Sequence, residues 1–161
     1  LLKQQINPHF FFNTLNNLYA LSLAKSDATP EVIMQLSELM RYVIYKGRQK
    51  TVAIAEEVQY LQDYLQLQQL RLNKTLDLQF RRELRNEKIN IPPLLLIIVE
   101  NAFKHGIEPA EDVCFLHLDL QVTEEELTFT SVNSVEDYTE ESVGIGLVNL
   151  KRRLDLNFPD S

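Results

Sequence analysis

The chain has 161 residues, of which 45% are hydrophobic, so it has room for one ordinary domain or two small ones with a buried core. Its formal net charge of −7 argues against a general nucleic-acid or anionic-membrane surface, because both need a positive field. No apolar run is long enough to cross a bilayer, and no signal-peptide pattern is present. The single cysteine, Cys114, excludes an internal disulfide and indicates a reducing compartment with a buried thiol.

Residues 2–24 have the spacing of a helix, with apolar side chains over a broad face and a polar stripe beside it. The apolar members include Phe11, Leu15, Leu18 and Tyr19, and the polar stripe consists of Gln5, His9, Asn13 and Asn16. Pro8 lies inside this run, so the helix either begins there or bends there.

A second helix is predicted after the break at KSDAT, residues 25–29. We expect Thr29 as its N-cap, Pro30 in its first position and Gly47 as its end. Its apolar seam consists of Val32, Leu36, Leu39 and Val43, widened by Ile33, Met40 and Ile44. Two helices alone bury their apolar faces poorly, so the sequence favours a dimer in which two hairpins form a four-helix bundle.

The pattern changes from helical to alternating near Asn73, which we take as the boundary between domains at residues 1–73 and 74–161. Before the boundary, residues 54–72 predict a third helix. After it, the sequence predicts a strand at 75–81, a helix that starts at two prolines and ends at Gly106, and a hairpin over 113–122 and 127–133. A loop at 135–143 and a final helix after the glycines of GIGLVNLKRRLDL complete an α+β fold.

Two motifs in the second half suggest a nucleotide phosphate. ENAFKHG brings Glu100, Asn101, Lys104 and His105 within about one helical turn, so that an amide oxygen can meet Mg²⁺ and an ammonium can meet phosphate. A solvated polar helix end explains that set equally well. In GIGLVN, glycines before a helix let the backbone approach a polyphosphate, although an ordinary turn is the better explanation of this motif taken alone.

The chain contains, in order, the blocks QINPHFFFNTLNNL, LSELMRYVI, EEVQYLQDYLQLQQLRL, IPPLLLIIVENAFKHGI, SVNS and GIGLVNLKRRLDL. This series resembles the LytS/YehU-like sensor histidine kinases over essentially the whole chain, and the order is far more specific than any single block. The resemblance implies a dimerisation and histidine phosphotransfer domain at residues 1–73. It also implies an α/β sandwich at residues 74–161, of the ATP-binding GHKL (Bergerat) type found in Hsp90, gyrase and MutL. The resemblance further implies ATP and Mg²⁺ as cofactors. It implies a homodimer and a response regulator as partner, often of the LytTR type.

The resemblance also implies roles for particular residues. His9 would take the γ-phosphate of ATP and pass it to an aspartate of the regulator, and Asn13, one turn later, would help remove phosphate from the regulator. Glu100 would be the base or polariser of the imidazole, or would orient a water on Mg²⁺ held by Asn101. The nucleotide-binding residues would be Asn101, Lys104, His105, Asn133, Gly144, Gly146, Leu147 and Asn149, with the two glycines as hinges of a lid over ATP.

A phosphate acceptor must be reachable, so we expect His9 outside the bundle core, with the phenylalanines holding the helix from beneath and Pro8 bending it. Phe10 departs from the acidic residue that many other histidine kinases carry after the acceptor. Asn133 and Ser134 stand where a DNG-like block has aspartate and glycine, which predicts weaker nucleotide binding.

The chain ends just after the last predicted helix, where the family's sandwich adds strands, so we expect an incomplete ATP domain. We also expect a membrane anchor upstream of Leu1, with this chain as the cytoplasmic part of a bacterial plasma (inner) membrane protein. The alternative function is a kinase-inactive or phosphatase-biased nucleotide-binding signalling module. Another ATPase with the same sandwich is disfavoured, because it needs no histidine displayed on a helical hairpin.

Overall fold

The computed structural model describes residues 8–134 and the backbone of residues 152–157. Within these residues the fold is a mixture of helices and sheets, as the sequence predicts. The helices are α1 (Pro8–Leu23), α2 (Thr29–Arg41), α3 (Ile54–Arg71) and α4 (Leu95–Ala102), with π-helical turns at Tyr42–Lys46 and Phe103–Ile107. The strands are β1 (Val52–Ala53), β2 (Thr75–Leu84), β3 (Asn90–Ile91), β4 (Val113–Val122), β5 (Glu126–Asn133) and β6 (Arg152–Asn157).

The chain divides into two compact units, and the first comprises residues up to Asn73 together with Lys88–Ile97. Helices α1, α2 and α3 pack against one another here, because α2 and α3 each contribute an apolar stripe at helical spacing and α1 contributes Phe10. The core side chains of these helices include Phe10, Val32, Leu36, Leu39, Ile54, Val58, Leu61 and Leu65. The short strands β1 and β3 pair antiparallel beside them. The function expected of residues 1–73 stays a prediction.

The second helix ends where the sequence predicts but begins differently. It continues through the π-helical turn Tyr42–Lys46 and is followed by Gly47, as expected. The expectation that Thr29 is the N-cap is wrong, because Ala28 already has helical backbone angles and Thr29 lies inside the helix. Ser26 makes the turn instead: its Oγ accepts a hydrogen bond from Ala28 N at 3.3 Å, and its carbonyl accepts one from Thr29 N. The chain therefore enters helical geometry one residue early.

The second unit comprises Lys74–Glu87 and the residues from Ile98 onward. Its sheet has the order β2-β4-β5-β6, in which β2 runs parallel to β4 and the other neighbours are antiparallel. The predicted strand after Asn73 and the predicted hairpin are both confirmed. Every second side chain of β4 is buried, namely Cys114, Leu116, Leu118, Leu120 and Val122, so the cysteine is a buried thiol as expected.

Two predictions in this unit are wrong. Residues 152–157 form strand β6 rather than part of a helix, and their sequence RRLDLN explains this because Leu154 and Leu156 alternate with Asp155 and Asn157. The prediction that the helix after the two prolines ends at Gly106 is also wrong, because α4 continues into the π-helical turn, which runs on to Ile107. None of the described helices is long and apolar enough to span a membrane.

Candidate functional site

His9 and Asn13 lie side by side on the first two turns of α1. The imidazole is exposed, and Asn13 Nδ2 lies 3.2 Å from His9 Nδ1 and 3.3 Å from His9 Nε2. Residues four apart on a helix share a face, which explains the contact. An amide N–H can donate only to a ring nitrogen that carries a lone pair, so which ring nitrogen accepts depends on the tautomer of the imidazole.

The side chain after His9 anchors the helix. Phe10 is 3% exposed, and its ring centroid lies 4.9 Å from that of Tyr64 on α3. Thr14 Oγ1, also buried, donates to the carbonyl of Phe10 at 2.8 Å. The expectation that the phenylalanines hold the helix from beneath is correct for Phe10 but wrong for Phe12, which is 66% exposed. The aromatic residue beside His9 is thus a structural anchor.

The first unit leaves two apolar stripes exposed. The stripe on α1 consists of Phe12, Leu15, Tyr19 and Leu23, at spacings of three, four and four residues. The second consists of Ile33, Met40 and Ile44, from α2 and the following π-helical turn. The three residues of the second stripe are those that the sequence assigns to a wider bundle core, and each is at least 42% exposed. Contiguous apolar stripes of this kind are typical of helix-packing surfaces.

Helix α4 and the π-helical turn after it carry the residues of ENAFKHG. Glu100 and Asn101 are half-buried near the end of α4, while Lys104 and His105 are exposed in the π-helical turn. The structure therefore places all four on one continuous helical segment, in the order that the sequence predicts. π-Helical turns inside helices occur often at functional sites.

A buried carboxylate that sequence reasoning missed caps the start of this segment. Glu57 of α3 is 0% exposed, and its Oε1 accepts hydrogen bonds from Leu95 N at 3.0 Å and Leu96 N at 3.3 Å. Burial raises the pKa of Glu57 from its ordinary 4.5 to about 7, although the two backbone N–H groups lower it. The signal was present in the sequence, since Glu57 stands three residues after Ile54 and four before Leu61 on the buried face of the helix.

The half-buried ammonium of Lys74 caps the other end of the segment. Lys74 Nζ donates to the carbonyls of Ile107 and Glu108, each at 2.9 Å, and to the carbonyl of Ala110. The last carbonyls of a helix have no intrahelical donors and carry partial negative charge, so a cation is favoured there. No pattern in the sequence marks Lys74 for this role.

Asn133 packs against the π-helical turn, which explains Gly106. A Cβ atom at Gly106 would lie 2.5 Å from Ser134 O and closer still to Asn133 Nδ2. Asn133 is 2% exposed, and its Nδ2 donates to Ser134 O at 2.9 Å. The hydroxyl of Ser134 accepts from Phe115 N at 3.1 Å and so ties the end of β5 to β4. The predicted adenine-reading residue therefore adjoins the segment that carries Lys104 and His105.

The residues described here fit a nucleotide with Mg²⁺. Among them no group of three or more His, Cys, Asp or Glu side chains could hold a metal ion. Mg²⁺ is usually held by one or two protein oxygens together with phosphate oxygens and waters. Asn101 offers one such oxygen, and Lys104, one turn later, offers positive charge.

Several predicted residues lie outside the described part of the chain. They are Gln5 of the polar stripe and Gly144, Gly146, Leu147 and Asn149 of the predicted nucleotide lid. Pro8 is the first described residue of α1, so its predicted bend involves residues beyond that part as well.

Known proteins resemble this chain along most of its length. Residues 1–76 match the family model described as "Histidine kinase". The "Sensor protein LytS" of Staphylococcus haemolyticus is 30% identical over 168 residues, which cover 95% of this chain and 29% of that protein. The "Sensor protein LytS" of Bacillus subtilis is 34% identical over 114 residues, covering 70% of this chain and 19% of the relative.

A "Sensor histidine kinase/phosphatase LytS" from Staphylococcus aureus strain MRSA252 is 33% identical over 106 residues, covering 65% of this chain and 18% of the relative. The chain thus spans less than a third of the length of these curated relatives. The family model covers the three helices of the first unit, and the S. haemolyticus alignment covers 95% of the chain. The chain therefore belongs to the LytS-like sensor histidine kinases.

Proposed function

We propose that this chain is the catalytic part of a two-component sensor histidine kinase, which phosphorylates His9 with ATP and passes the phosphate to an aspartate of a response regulator. The observation that carries the proposal is the setting of His9: an exposed imidazole on a helix anchored by buried Phe10, with the Asn13 amide beside the ring. An acceptor must be accessible yet fixed in position, and this arrangement meets both needs.

In the proposed reaction the neutral imidazole of His9 attacks the γ-phosphorus of ATP. A nitrogen–phosphorus bond forms while the bond to the bridging oxygen breaks, and ADP leaves with that electron pair. Such a transition state is loose, so positioning and charge neutralisation supply most of the catalysis. Glu100 is our candidate for the base that accepts the ring proton or polarises the ring, with orientation of a magnesium-bound water as its alternative role.

The nucleotide would bind around α4. Asn101 would hold Mg²⁺, which neutralises phosphate charge when bound, and Lys104 and His105 would contact phosphate or ribose. The side-chain oxygen of Asn133 would accept from the exocyclic amine of adenine, without the extra strength of a charged acceptor. The lid would be formed by Gly144, Gly146, Leu147 and Asn149.

The domain organisation is proposed on the same basis. Residues 1–73 would form the dimerisation and phosphotransfer domain, and residues 74–161 an ATP-binding sandwich of GHKL type. The exposed apolar stripes of α1 and α2 support a homodimer, because pairing two hairpins into a four-helix bundle would bury them. We also propose that the whole protein is anchored in the bacterial membrane and serves a regulator of the LytTR type.

Asn13 would serve a second activity of the same site. An amide one turn from the acceptor can hold a water against the phosphorylated aspartate of the regulator, and the name of the S. aureus relative includes phosphatase activity. Loss of phosphate from a phosphorylated regulator should slow in Asn13→Ala, while phosphorylation of His9 continues.

Incubation with magnesium and γ-labelled ATP tests the proposal. Acid-labile, alkali-stable label should appear on the parent chain and be absent from His9→Gln. A chain that binds magnesium–ATP and takes up no label is not an autokinase.

A further inference from the structure

Glu57 is the buried carboxylate that the proposed chemistry does not use. Its side chain is fully enclosed, its Oε1 receives the N–H groups of Leu95 and Leu96, and its Oε2 has no hydrogen-bond partner among the described residues. The first N–H groups of a helix have no partners within the helix, so these two depend on Glu57. The carboxylate thus fixes the first turn of α4 to α3.

A charged group at this position is costly for stability. Burial raises the pKa of Glu57 to about 7, which means that ionisation of the folded protein is opposed by lost hydration. A glutamine would offer the same accepting oxygen to both N–H groups without that cost. The contact with α4 therefore requires an accepting oxygen at this position rather than a charge.

Helix α4 connects this contact to the nucleotide residues. Asn101 follows Leu96 by five residues on the same uninterrupted helix, a rise of about 7.5 Å. A helix of this length is stiff, so a displacement of its first turn moves Asn101 with it. Mg²⁺ demands near-ideal octahedral geometry, which makes the position of a ligand oxygen critical.

We propose that Glu57 is a positioning residue for the nucleotide: by holding the first turn of α4, it sets the position of the Asn101 side chain that coordinates Mg²⁺. This inference rests on the proposed function, in which Asn101 is the magnesium ligand. Glu57 touches neither metal nor nucleotide and acts through the helix.

Two substitutions separate this role from general stability. Glu57→Ala removes the acceptor, whereas Glu57→Gln keeps one accepting oxygen in the same place. In each variant, amide exchange at Leu95 and Leu96 is measured by NMR, and binding of ATP is titrated once with Mg²⁺ and once with EDTA.

The proposal predicts a magnesium-specific loss. In Glu57→Ala, exchange at the two amides should speed up by about tenfold or more, since each loses its acceptor. The Kd for magnesium–ATP should rise by about tenfold, while the Kd for metal-free ATP stays within about twofold of the parent. Glu57→Gln should restore both readouts to within about twofold of the parent.

Three results decide against parts of this scheme. Equal weakening of ATP binding with and without Mg²⁺ would mean that Glu57 is merely structural and would overturn the positioning role. Unchanged exchange at Leu95 and Leu96 in Glu57→Ala would overturn it as well. A parent chain that binds no nucleotide overturns the proposed function itself, and the exchange data then still decide whether Glu57 holds α4.

Discussion

Replacing Glu57 with glutamine should make the protein more stable above neutral pH and leave its stability unchanged in acid. The carboxyl is fully buried, and its pKa lies at about 7 in the folded protein against an ordinary 4.5. Between these values the folded state binds more protons than the unfolded state, so the free energy of unfolding falls as pH rises. Above about pH 7 the full cost of the buried charge is present.

The size of the effect follows from the same two values. The difference between 4.5 and about 7, at 1.36 kcal/mol per pKa unit, corresponds to about 3 kcal/mol. Glutamine does not titrate, so the parent alone loses this amount. The free energy of unfolding of Glu57→Gln minus that of the parent should therefore rise by about 3 kcal/mol between about pH 4 and about pH 8.

The raised pKa of Glu57 is not caused by other ionisable groups. Strands β1 and β3 carry none, and α4 carries only Glu100. The causes of the raised pKa are burial and, in the opposite direction, the backbone N–H groups of Leu96 and Leu95. The other ionisable side chains of α3, namely Glu56, Tyr60, Asp63, Tyr64 and Arg71, are not among these causes.

Urea unfolding followed by far-ultraviolet circular dichroism over this pH range measures the difference. Glu56→Gln is the matched control, because Glu56 is 40% exposed and pairs with Lys46 at 3.4 Å. Exposed ion pairs contribute at most about 1 kcal/mol, so the control should change little. A rise below about 1 kcal/mol in Glu57→Gln would refute the claim that burial raises the pKa of Glu57 to about 7.

Three further substitutions, two of them with a control variant, test other contacts. Phe10→Ala should cost about 3–5 kcal/mol in urea unfolding because Phe10 is a core residue, whereas Met34→Ala, at a residue that is 60% exposed and outside both apolar stripes, should stay within about 0.5 kcal/mol. Equal losses would contradict the anchoring role. Gly106→Ala should destabilise by about 1–3 kcal/mol, since its Cβ would overlap the end of β5, while Gly47→Ala, at a φ of −63°, should be neutral or stabilising. Tyr19→Asp should shift the chain toward monomer in analytical ultracentrifugation, because Tyr19 is 65% exposed on the apolar stripe of α1, and an unchanged mass would count against that stripe as the dimer surface.

The sequence predicts those elements whose periodicity is long and regular. The three helices of the first unit, strand β2 and the hairpin of β4 and β5 all follow from apolar residues at spacings of 3.6 or 2. Each has enough repeats for the periodic signal to outweigh local preferences. Exposure of His9 followed from the same spacing argument, whereas burial of Cys114 was inferred from its being the single cysteine.

Local signals were less reliable, because several structures compete for the same residues. Thr29 before a proline is a good N-cap, yet the turn made by Ser26 starts the helix one residue earlier. Gly106 suggests a helix end, but the residue is needed for the close approach of Asn133. Such a contact joins segments distant in sequence, and no local pattern reports it.

The sequence predicted which residues form the candidate site, but it did not predict the side chains that cap the helical segment carrying them. His9, Asn101 and their neighbours stand in recognisable motifs, whereas Glu57 and Lys74 act from other elements on the two ends of one helical segment. Glu57 stands on the apolar face of α3, but a charged residue in a helical pattern is usually solvated, so that spacing is a weak signal of burial. Nothing in the sequence marks Lys74.

The most direct test of the central claim is the location of phosphate after incubation with magnesium and γ-labelled ATP. The chain has three histidines, and His117 is a control because it lies on β4 with its Nε2 2.9 Å from Asp77 Oδ2, and the proposed chemistry does not use it. The proposed function predicts acid-labile, alkali-stable label on the parent and on His117→Gln, and none on His9→Gln. Label that persists in His9→Gln, or a parent that binds magnesium–ATP and stays unlabelled, would contradict His9 as the phosphate acceptor.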